Sequence, residues 1–259
     1  MSGFLFDEIV FGPVKSRRFG ISLGINLLPL DSKLCSYDCI YCECGLTGHK
    51  AGHKPRLFAA AEIKNSLQQR FKALAEELLA PDNITFAGNG EPTLHPEFAT
   101  IIDDTIALRN CYFPKAKITV LSNATMLNRP AVVEALKKID NNVLKLDAGT
   151  NETFRAINRP LSPVTLEDVV KRLMGFGGDL TIQTLFLRGS IGDKRIDNTT
   201  DKEVNLWLEH LSRIRPALVM LYPIDRRTPF ATLEKVSENE LKVLAEKVEA
   251  IGLKAEVFY

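Results

Sequence analysis

Short apolar runs rich in β-branched residues recur along the middle of this 259-residue chain, and amphipathic segments separate them. We predict six strands, at residues 20–27, 83–87, 117–122, 143–147, 180–186 and 217–222. From the second strand on, the starting positions are 34, 26, 37 and 37 residues apart, so each gap has room for a helix that leads back to a parallel strand. The alternation predicts an α/β fold, either an open doubly wound sheet or a barrel.

The segments between these strands show apolar residues at helical spacing. Predicted helices lie at residues 60–79, 97–109, 129–138, 165–175, 201–213 and 237–250, and a last short strand is expected at 254–258. Because no linker or low-complexity tract interrupts the pattern, we expect a single domain over residues 1–259. Its parts are an N-terminal extension that covers one end of the core (1–19), the core (20–222) and a C-terminal loop, helix and edge strand (223–259).

The overall composition narrows the functional class. Hydrophobic residues make up 45% and charged residues 25% of the chain, which is typical of a folded globular protein. The chain has no apolar run of about 18 residues and carries acidic residues near its start, so we expect a cytoplasmic protein with no membrane span. The 33 basic and 32 acidic residues nearly cancel, so nucleic-acid binding is not indicated by net charge, although a local patch would permit it.

Four of the five cysteines fall within ten residues: Cys35, Cys39, Cys42 and Cys44. An odd cysteine count without an export signal argues against a disulfide framework, and clustered thiolates select zinc or an iron–sulfur cluster. Structural zinc favours two separated ligand pairs, so a zinc site here needs His49 or His53 to complete it.

The first three cysteines follow the spacing CxxxCxxC, which suits a 4Fe-4S cluster in a different way. Each thiolate binds one iron, and the fourth iron stays open to a non-protein ligand. Cys44 is poorly placed to join the same cluster, and Cys111 is interpreted as a buried or incidental thiol. An enzyme with a reactive cluster and a metal-stabilised or electron-carrying binding module both remain open at this point.

Polar residues gather where the predicted strands end. After the cysteine loop, which follows the first strand, they are Asn89 to Glu91, Ser122, Asn123, Asp147, Arg188, Tyr222, Asp225 and Arg226. The carboxyl ends of parallel strands meet at one edge of a sheet or barrel, so these residues predict an active site there. Each group also has an ordinary structural role open to it, as a helix N-terminus, a turn, a backbone cap or a solvated loop charge.

The segment LCSYDCIYCECG resembles the radical S-adenosylmethionine (radical SAM) superfamily, whose signature is CxxxCx(aromatic)C, with Tyr41 in the aromatic place. A second segment, ITFAGNGEPTLHP at residues 84–96, resembles the glycine-glutamate segment of that family. The family usually has adjacent glycines, whereas this chain reads Gly88, Asn89, Gly90, Glu91. The resemblance implies a partial (β/α)6 barrel with a short N-terminal extension.

The resemblance also implies cofactors and residue roles. Cys35, Cys39 and Cys42 are expected to bind a 4Fe-4S cluster, and S-adenosylmethionine to bind its open iron. Reductive cleavage of S-adenosylmethionine then gives a 5′-deoxyadenosyl radical that abstracts hydrogen from a substrate, with a flavodoxin or ferredoxin as the electron donor. We expect Glu91 to bind the methionine amino group, Gly90 to allow close backbone approach, and the ribose or carboxylate to contact a set of three: Ser122, Asn123 and Asp147.

The substrate is less constrained. FGPVKSRRFGISLGINLLP, GEPTLHP and KLDAGTNETFRAINRP resemble the iron–sulfur oxidoreductases that are similar to wyosine-base-forming tRNA enzymes. We expect a small-molecule or nucleotide substrate, with tRNA modification as the alternative within the same family. Two basic clusters, around Lys54 and Arg56 and around Arg17 and Arg18 with Lys15, are either solvated loops or sites for a substrate phosphate or carboxylate.

Overall fold

The structure, a computed structural model, describes residues 3–47 and 55–259. These residues form ten strands and seven α-helices. The strands are β1 (Val10–Ser16), β2 (Gly20–Ile25), β3 (Asn83–Phe86), β4 (Lys117–Ser122), β5 (Asn141–Lys145), β6 (Thr181–Ile191), β7 (Lys194–Asp197), β8 (Leu218–Pro223), β9 (Leu233–Lys235) and β10 (Ala255–Val257). The helices are α1 (Ala60–Glu76), α2 (Phe98–Tyr112), α3 (Pro130–Leu136), α4 (Asn151–Ile157), α5 (Leu166–Met174), α6 (Asp201–Ile214) and α7 (Glu238–Ala250). A short 3-10 helix, Pro92–Leu94, follows β3.

The main sheet has the strand order β1-β2-β3-β4-β5-β6-β8-β10. All neighbours from β2 to β10 are parallel, and β1 pairs antiparallel with β2 at one edge. The six strands predicted for the core are therefore consecutive neighbours in the sheet. Because the order runs from one edge strand to another, the sheet does not close into a complete barrel. The carboxyl ends of its parallel strands form one accessible rim.

Strands buried on both faces explain the continuous apolar runs in the sequence. Ile84, Val120 and Val219 are fully buried in the centres of their strands. On the outer side, Trp207 of α6 packs edge-to-face on Phe186 at 5.2 Å between ring centroids. No helix in the described ranges is both long and apolar enough to cross a bilayer.

Several elements differ from the sequence prediction. The predicted N-terminal extension contains β1, which the sequence concealed because Gly12 and Pro13 interrupt its alternation; an edge strand tolerates proline. Helix α4, a short helix of seven residues, was not predicted. The predicted strand 143–147 is observed as β5 two residues earlier, which leaves Asp147 just beyond the strand end.

The loop after β2 carries the cysteines, and two long-range contacts fix it over the rim. We call residues 34–45 the cluster loop. Leu34 forms an isolated parallel bridge with Gly90, and Tyr37 forms an antiparallel one with Pro160. Backbone bonds from Ile40 N to Ile157 O (2.9 Å) and from Asp38 N to the α4 C-terminus add a third support. The missed helix α4 is therefore one of the elements that hold the cysteines in place.

Candidate active site

A cavity of about 310 Å³ opens at the carboxyl rim of the sheet. This volume is within the range of small-molecule sites in proteins. Its walls include most of the residues predicted from the sequence: Cys35, Cys39, Tyr41, Cys42, Gly90, Glu91, Ser122 and Asn123. Asp147 lies behind the wall and contacts Tyr41, which does line the cavity. The structure therefore brings the dispersed sequence positions to one place.

The three cysteines of the CxxxCxxC spacing have different surroundings. Burial raises the pKa of the Cys35 thiol to about 12 and that of Cys39 to about 11. The pKa of Cys42 is lowered to about 6, first because Cys44 hydrogen-bonds to it and also because the Lys33 ammonium is near. Buried thiols with raised pKa values lose their protons when a metal binds, so cluster binding here is coupled to proton release.

Amide groups point at two of these sulfurs. Asn123 Nδ2 lies 3.6 Å from Cys35 Sγ, and Asn158 Nδ2 lies 3.5 Å from Cys39 Sγ. The Tyr37 backbone N–H donates to Cys35 Sγ at 3.4 Å. These donors stabilise thiolates whether the bound group is a cluster or a single ion.

The described residues do not form a ready site for a single metal ion. Within the described residues, no three His, Cys, Asp or Glu side chains converge closely enough to hold one metal ion. A 4Fe-4S cluster binds each cysteine through a different iron, so its three ligands stand around the group rather than meeting at a point. His49 and His53, which a zinc site requires, lie outside the described residues. Three thiols beside an open cavity fit a 4Fe-4S cluster better than tetrahedral zinc.

The other two cysteines have separate surroundings. Cys44 lines the cavity, and its Sγ donates to the carbonyl of Gly88 at 3.4 Å. Hydrogen bonding to Cys42 raises the pKa of Cys44, so this thiol stays protonated beside its neighbour. Cys111 is exposed on α2 rather than buried, and it does not line the cavity.

Glu91 is buried at the cavity wall and is held entirely by neutral donors. Its Oε1 accepts hydrogen bonds from Ser122 Oγ (2.8 Å) and from the Thr93 hydroxyl and N–H, and its Oε2 accepts one from Asn123 N (2.6 Å). Burial raises the pKa of Glu91, and the hydrogen bonds from Thr93, Asn123 and Ser122 partly oppose that shift. A carboxylate oxygen accepts about two bonds comfortably, so Oε2 keeps room for one further donor.

Gly90 is required by the cluster loop. Its φ is +144°, and a Cβ at this position would lie 1.8 Å from the carbonyl oxygen of Leu34. Leu34 O accepts a bond from Glu91 N at 3.0 Å, which explains why the two backbones must touch. The sequence prediction placed the close approach between Gly90 and a ligand; the structure shows that backbone of the cluster loop approaches it.

Asn89, the departure from the family's usual glycine, ties three segments together. Its Nδ2 donates to Phe6 O and Pro29 O, both at 2.8 Å, and its Oδ1 accepts from Phe6 N at 2.8 Å. Asn89 is fully buried. The asparagine therefore binds the N-terminal segment to the back of the glycine-glutamate segment, and no local signal in the sequence indicates this role.

Ser122 and Asn123 use their side chains inside the protein. Ser122 Oγ donates to Glu91, and Asn123 Nδ2 donates to Ser36 Oγ at 2.9 Å. The Asn123 side-chain oxygen accepts from the backbone and hydroxyl of Thr125. Their direct contact with a ribose or carboxylate stays a prediction, whereas the hydrogen bonds of both residues to Glu91 and the contact of Asn123 with the cluster loop are structural observations.

A buried polar network lies opposite Glu91. Asp147 accepts bonds from the Tyr41 hydroxyl and from Asn158 Nδ2 (2.7 Å), and Lys145 Nζ lies 3.3 Å from its Oδ2. Leu185 N donates to its other oxygen at 2.9 Å. Burial lowers the pKa of Lys145, but the neighbouring Asp147 carboxylate outweighs that effect and the pKa is raised. The ammonium therefore stays charged in the cavity wall.

Sequence analysis missed Lys145 and Gln183, although a signal for each was present. Lys145 is a charged residue inside the apolar run VLKLD, and residues two apart in a strand share a face, so the pattern places Lys145 on the same face as Asp147. Gln183 is directly opposite Lys145 in the register of β5 and β6. A polar residue within a buried strand therefore indicates a position that lines the cavity.

Arg188 is a correction to the predicted rim. Strand β6 continues to Ile191, so Arg188 lies inside a strand and not past its end. Its guanidinium binds Glu240 Oε1 at 2.5 Å and Thr199 Oγ1 at 3.0 Å, and it does not line the cavity. The residue belongs to the packing of α7 on the sheet.

The remaining predicted basic residues divide by position. Arg17, Arg18 and Arg226 line the cavity mouth, whereas Arg56 is exposed and pairs with Glu62. Lys54 lies outside the described residues. Of the two basic clusters expected from the sequence, the one on the β1–β2 turn faces the site.

The amino-acid sequence matches a family model and a curated relative. A family model described as the radical SAM superfamily matches residues 31–199. A UPF0026 protein of Helicobacter pylori strain J99 is 33% identical over 236 residues, which cover 90% of this chain and 71% of that protein.

Two solved structures extend the comparison to the fold. A radical SAM methyltransferase from Sphaerobacter thermophilus aligns with a TM-score of 0.67 at 16% identity, over 91% of this chain and 65% of that one. Native anSMEcpe with bound AdoMet aligns with a TM-score of 0.57 at 14% identity, over 91% of this chain and 64% of that one. The chain spans about two thirds of the length of both structures. Their similarity confirms the predicted partial (β/α)6 barrel.

Proposed function

Because the chain belongs to the radical SAM superfamily and to the UPF0026 proteins, we propose that it is a radical SAM enzyme that abstracts hydrogen from a small-molecule substrate held in the rim cavity. The superfamily uses a 4Fe-4S cluster and S-adenosylmethionine. One observation carries the assignment to this cavity: three thiols and a buried carboxylate with a free acceptor position all line it.

The residues of the chain divide the binding work. Cys35, Cys39 and Cys42 would hold the cluster, and the amides of Asn123 and Asn158 would hydrogen-bond to two of the thiolates. When bound and reduced by one electron, the cluster with S-adenosylmethionine supplies methionine and a 5′-deoxyadenosyl radical, which takes a hydrogen atom from the substrate. We propose a flavodoxin or ferredoxin as the source of that electron.

Glu91 would bind the ammonium group of the methionine moiety. Its Oε2 has one acceptor position left, and a charge-assisted bond to a buried carboxylate is stronger than a neutral one. Tyr41 presents its ring to the cavity while Lys145 and Asp147 fix its hydroxyl, so the ring offers a rigid face for stacking. The buried walls keep water away from a radical that would otherwise react with it or with stray donors.

The test is anaerobic production of 5′-deoxyadenosine. Protein reconstituted with iron and sulfide receives S-adenosylmethionine and dithionite, and the nucleoside is quantified for the wild type, Cys39→Ala and the matched control Cys111→Ala. We expect the nucleoside from the wild type and from Cys111→Ala but not from Cys39→Ala. Absence of the nucleoside in wild type that carries its full iron would contradict the enzyme assignment and favour a structural or electron-carrying cluster.

A further inference from the structure

Two segments outside the family match complete the cavity mouth. Residues 31–199 match the superfamily model, whereas Arg18 precedes this range and Tyr222 follows it, and both line the cavity. Arg18 lies on the tight turn between β1 and β2, where Ser16 Oγ accepts bonds from the backbone N–H groups of Arg18 and Phe19, each at 3.2 Å. A fixed turn therefore carries this arginine over the site.

Uncharged side chains hold the guanidinium of Arg18 in place. Its guanidinium carbon lies 5.1 Å from the ring centroid of Tyr222 and 5.3 Å from that of Phe19. One NH group donates to Gln183 Oε1 at 3.1 Å, and Gln183 in turn accepts from the Tyr222 hydroxyl at 3.5 Å. Stacking and a single neutral bond orient the guanidinium but leave its charge and most of its five donors unused.

The other cations of the cavity are already paired. Arg17 binds Asp225 at 2.9 Å, Arg226 binds Glu43 at 2.9 Å, and Lys145 lies 3.3 Å from Asp147. Within residues 3–47 and 55–259, no carboxylate pairs with Arg18. The cavity therefore offers one oriented cation without a counter-ion, which is the arrangement that binds an anion.

A second feature of the same cavity also lacks its partner. The Tyr37 hydroxyl is buried and has no hydrogen-bond partner in the described part of the chain, and Tyr37 is one of the residues that border the cavity. Burial raises its pKa, so the group remains a neutral donor. A buried hydroxyl normally costs stability unless a ligand or water satisfies it. This orphan donor indicates that the cavity is built for a polar occupant.

From these contacts we infer that Arg18 binds a carboxylate or phosphate group of the substrate, a small anionic molecule whose apolar part rests on Leu185, Ile224 and Phe258. The inference rests on the proposed function, because it assigns the substrate class of that same cavity. The planar fork of the guanidinium matches both anions in two-point geometry. A small molecule fits better than a nucleic acid, since among residues 3–47 and 55–259 the ion pairs of Arg17 and Arg226 neutralise those charges at the cavity mouth.

The experiment measures anion binding to the reconstituted holoenzyme without reductant. Inorganic phosphate and malonate are titrated separately by calorimetry in saturating S-adenosylmethionine, so that the cofactor occupies its own place and is not cleaved. The variants are Arg18→Gln, Arg18→Lys and the matched control Arg227→Gln, which removes an exposed arginine that does not line the cavity. Comparing the two anions identifies which group the site prefers.

We expect the wild type and Arg227→Gln to bind at least one anion alike, Arg18→Gln to bind it about tenfold or more weakly, and Arg18→Lys to fall between because it keeps charge but loses the fork. Equal binding by wild type and Arg18→Gln, or no binding of either anion by the wild type, would overturn the inference. So would salt-sensitive binding of bulk tRNA that Arg18→Gln abolishes, which would assign the arginine to a polyanion.

A separate measurement keeps the two proposals distinguishable. The same wild-type preparation is assayed for 5′-deoxyadenosine after dithionite is added. Anion binding at Arg18 without any nucleoside contradicts the proposed function, whereas nucleoside formation with equal anion binding by Arg18→Gln contradicts only the inference about the substrate.

Discussion

Two buried carboxylates lie close to the cavity, and they differ in whether a cationic side chain is beside them. Asp147 has an ammonium group, Lys145, at 3.3 Å, whereas Glu91 is held by hydroxyl and backbone N–H donors alone. No cationic side chain pairs with Glu91 among residues 3–47 and 55–259. Glu91 follows β3 and Asp147 follows β5 at the same edge of the parallel sheet, so position alone does not separate them. Their partners do: Asp147 is neutralised by the protein, and Glu91 is left for an incoming cation.

The difference teaches how one rim supports both rigidity and binding. A buried ion pair that is fully hydrogen-bonded fixes its neighbourhood, and here it fixes the Tyr41 hydroxyl and, through Asn158, the contact to Cys39. A buried carboxylate without a counter-ion can still pair with an incoming cation, which favours its charged form. The Asp147 side therefore supports the cluster loop, and the Glu91 side supplies the charge that a ligand requires.

Breaking the Asp147 side should have the largest effect on stability. In Asp147→Asn, the Lys145 ammonium loses its counter-ion, and the new amide N–H₂ faces the donors of Tyr41 and Asn158. We expect the free energy of unfolding to fall by about 3–5 kcal/mol, the cost typical of leaving one member of a buried pair alone. Urea unfolding followed by circular dichroism measures it.

The matched control for that change is Asp103→Asn, which breaks the exposed pair with Lys138. Exposed pairs contribute at most about 1 kcal/mol. If the two variants lost the same stability, the buried network would not support the rim as argued.

The Glu91 side is expected to respond in binding more than in stability. Glu91→Gln keeps an oxygen for Ser122 and Thr93 but turns an amide N–H₂ toward Asn123 N. The free energy of unfolding should therefore be about 1–3 kcal/mol lower than in the wild type. Affinity for S-adenosylmethionine, measured by calorimetry without reductant, should fall about tenfold or more because the charge-assisted bond is lost.

The pH dependence sharpens the same comparison. Burial raises the pKa of Glu91 above its ordinary 4.5, so the carboxyl takes up a proton in the folded protein at a higher pH than in the unfolded chain. Wild-type affinity for S-adenosylmethionine should therefore weaken as pH falls through the raised pKa, by up to about tenfold per pH unit. The contribution of Glu91 to stability has the opposite sign, since it is greatest below 4.5 and is lost as pH rises through the folded-state pKa. Glu91→Gln should show neither dependence, and an unchanged pH profile in this variant would assign the titration to another group.

The smallest effects come from removing one hydroxyl on each side. Ser122→Ala deletes one of the donors to Glu91, and Tyr41→Phe deletes one donor to Asp147. Each should lower the free energy of unfolding by about 1 kcal/mol. Calorimetry separates them: Ser122→Ala should also weaken the binding of S-adenosylmethionine because it misorients Glu91. If Tyr41→Phe weakened the binding of S-adenosylmethionine as strongly as Ser122→Ala, the Tyr41 hydroxyl as well as its ring would contribute to that binding.

Much of the fold was accessible from the sequence because apolar periodicity is a local property. The six core strands and six of the helices fall within a few residues of their predicted positions. The elements that were missed are those whose pattern is short or interrupted, such as β1 with Gly12 and Pro13, or α4 with seven residues. Edge pairing and contact with the cluster loop stabilise these elements, and neither contribution is encoded in their own sequence.

For the site, residue type and spacing determined which groups are present. The CxxxCxxC spacing indicated a thiolate-bound metal or cluster, and the resemblance to the radical SAM superfamily implied the roles of Tyr41 and Glu91 toward the cofactor. Residue type left Arg17 and Arg18 as either solvated loop charges or sites for an anion. Chemistry of this kind belongs to single side chains, so it can be read one residue at a time.

Only the tertiary structure decided which of these groups are already satisfied. It paired Arg17 with Asp225 and Asp147 with a cation, whereas in the described part of the chain Arg18 has no carboxylate partner and Glu91 has no cationic one. It also assigned Asn89 to the N-terminal segment 83 residues away. Charge compensation depends on distance and burial between segments far apart in the chain, and for that reason the sequence by itself named the chemical groups while the fold determined which of them remain free to bind.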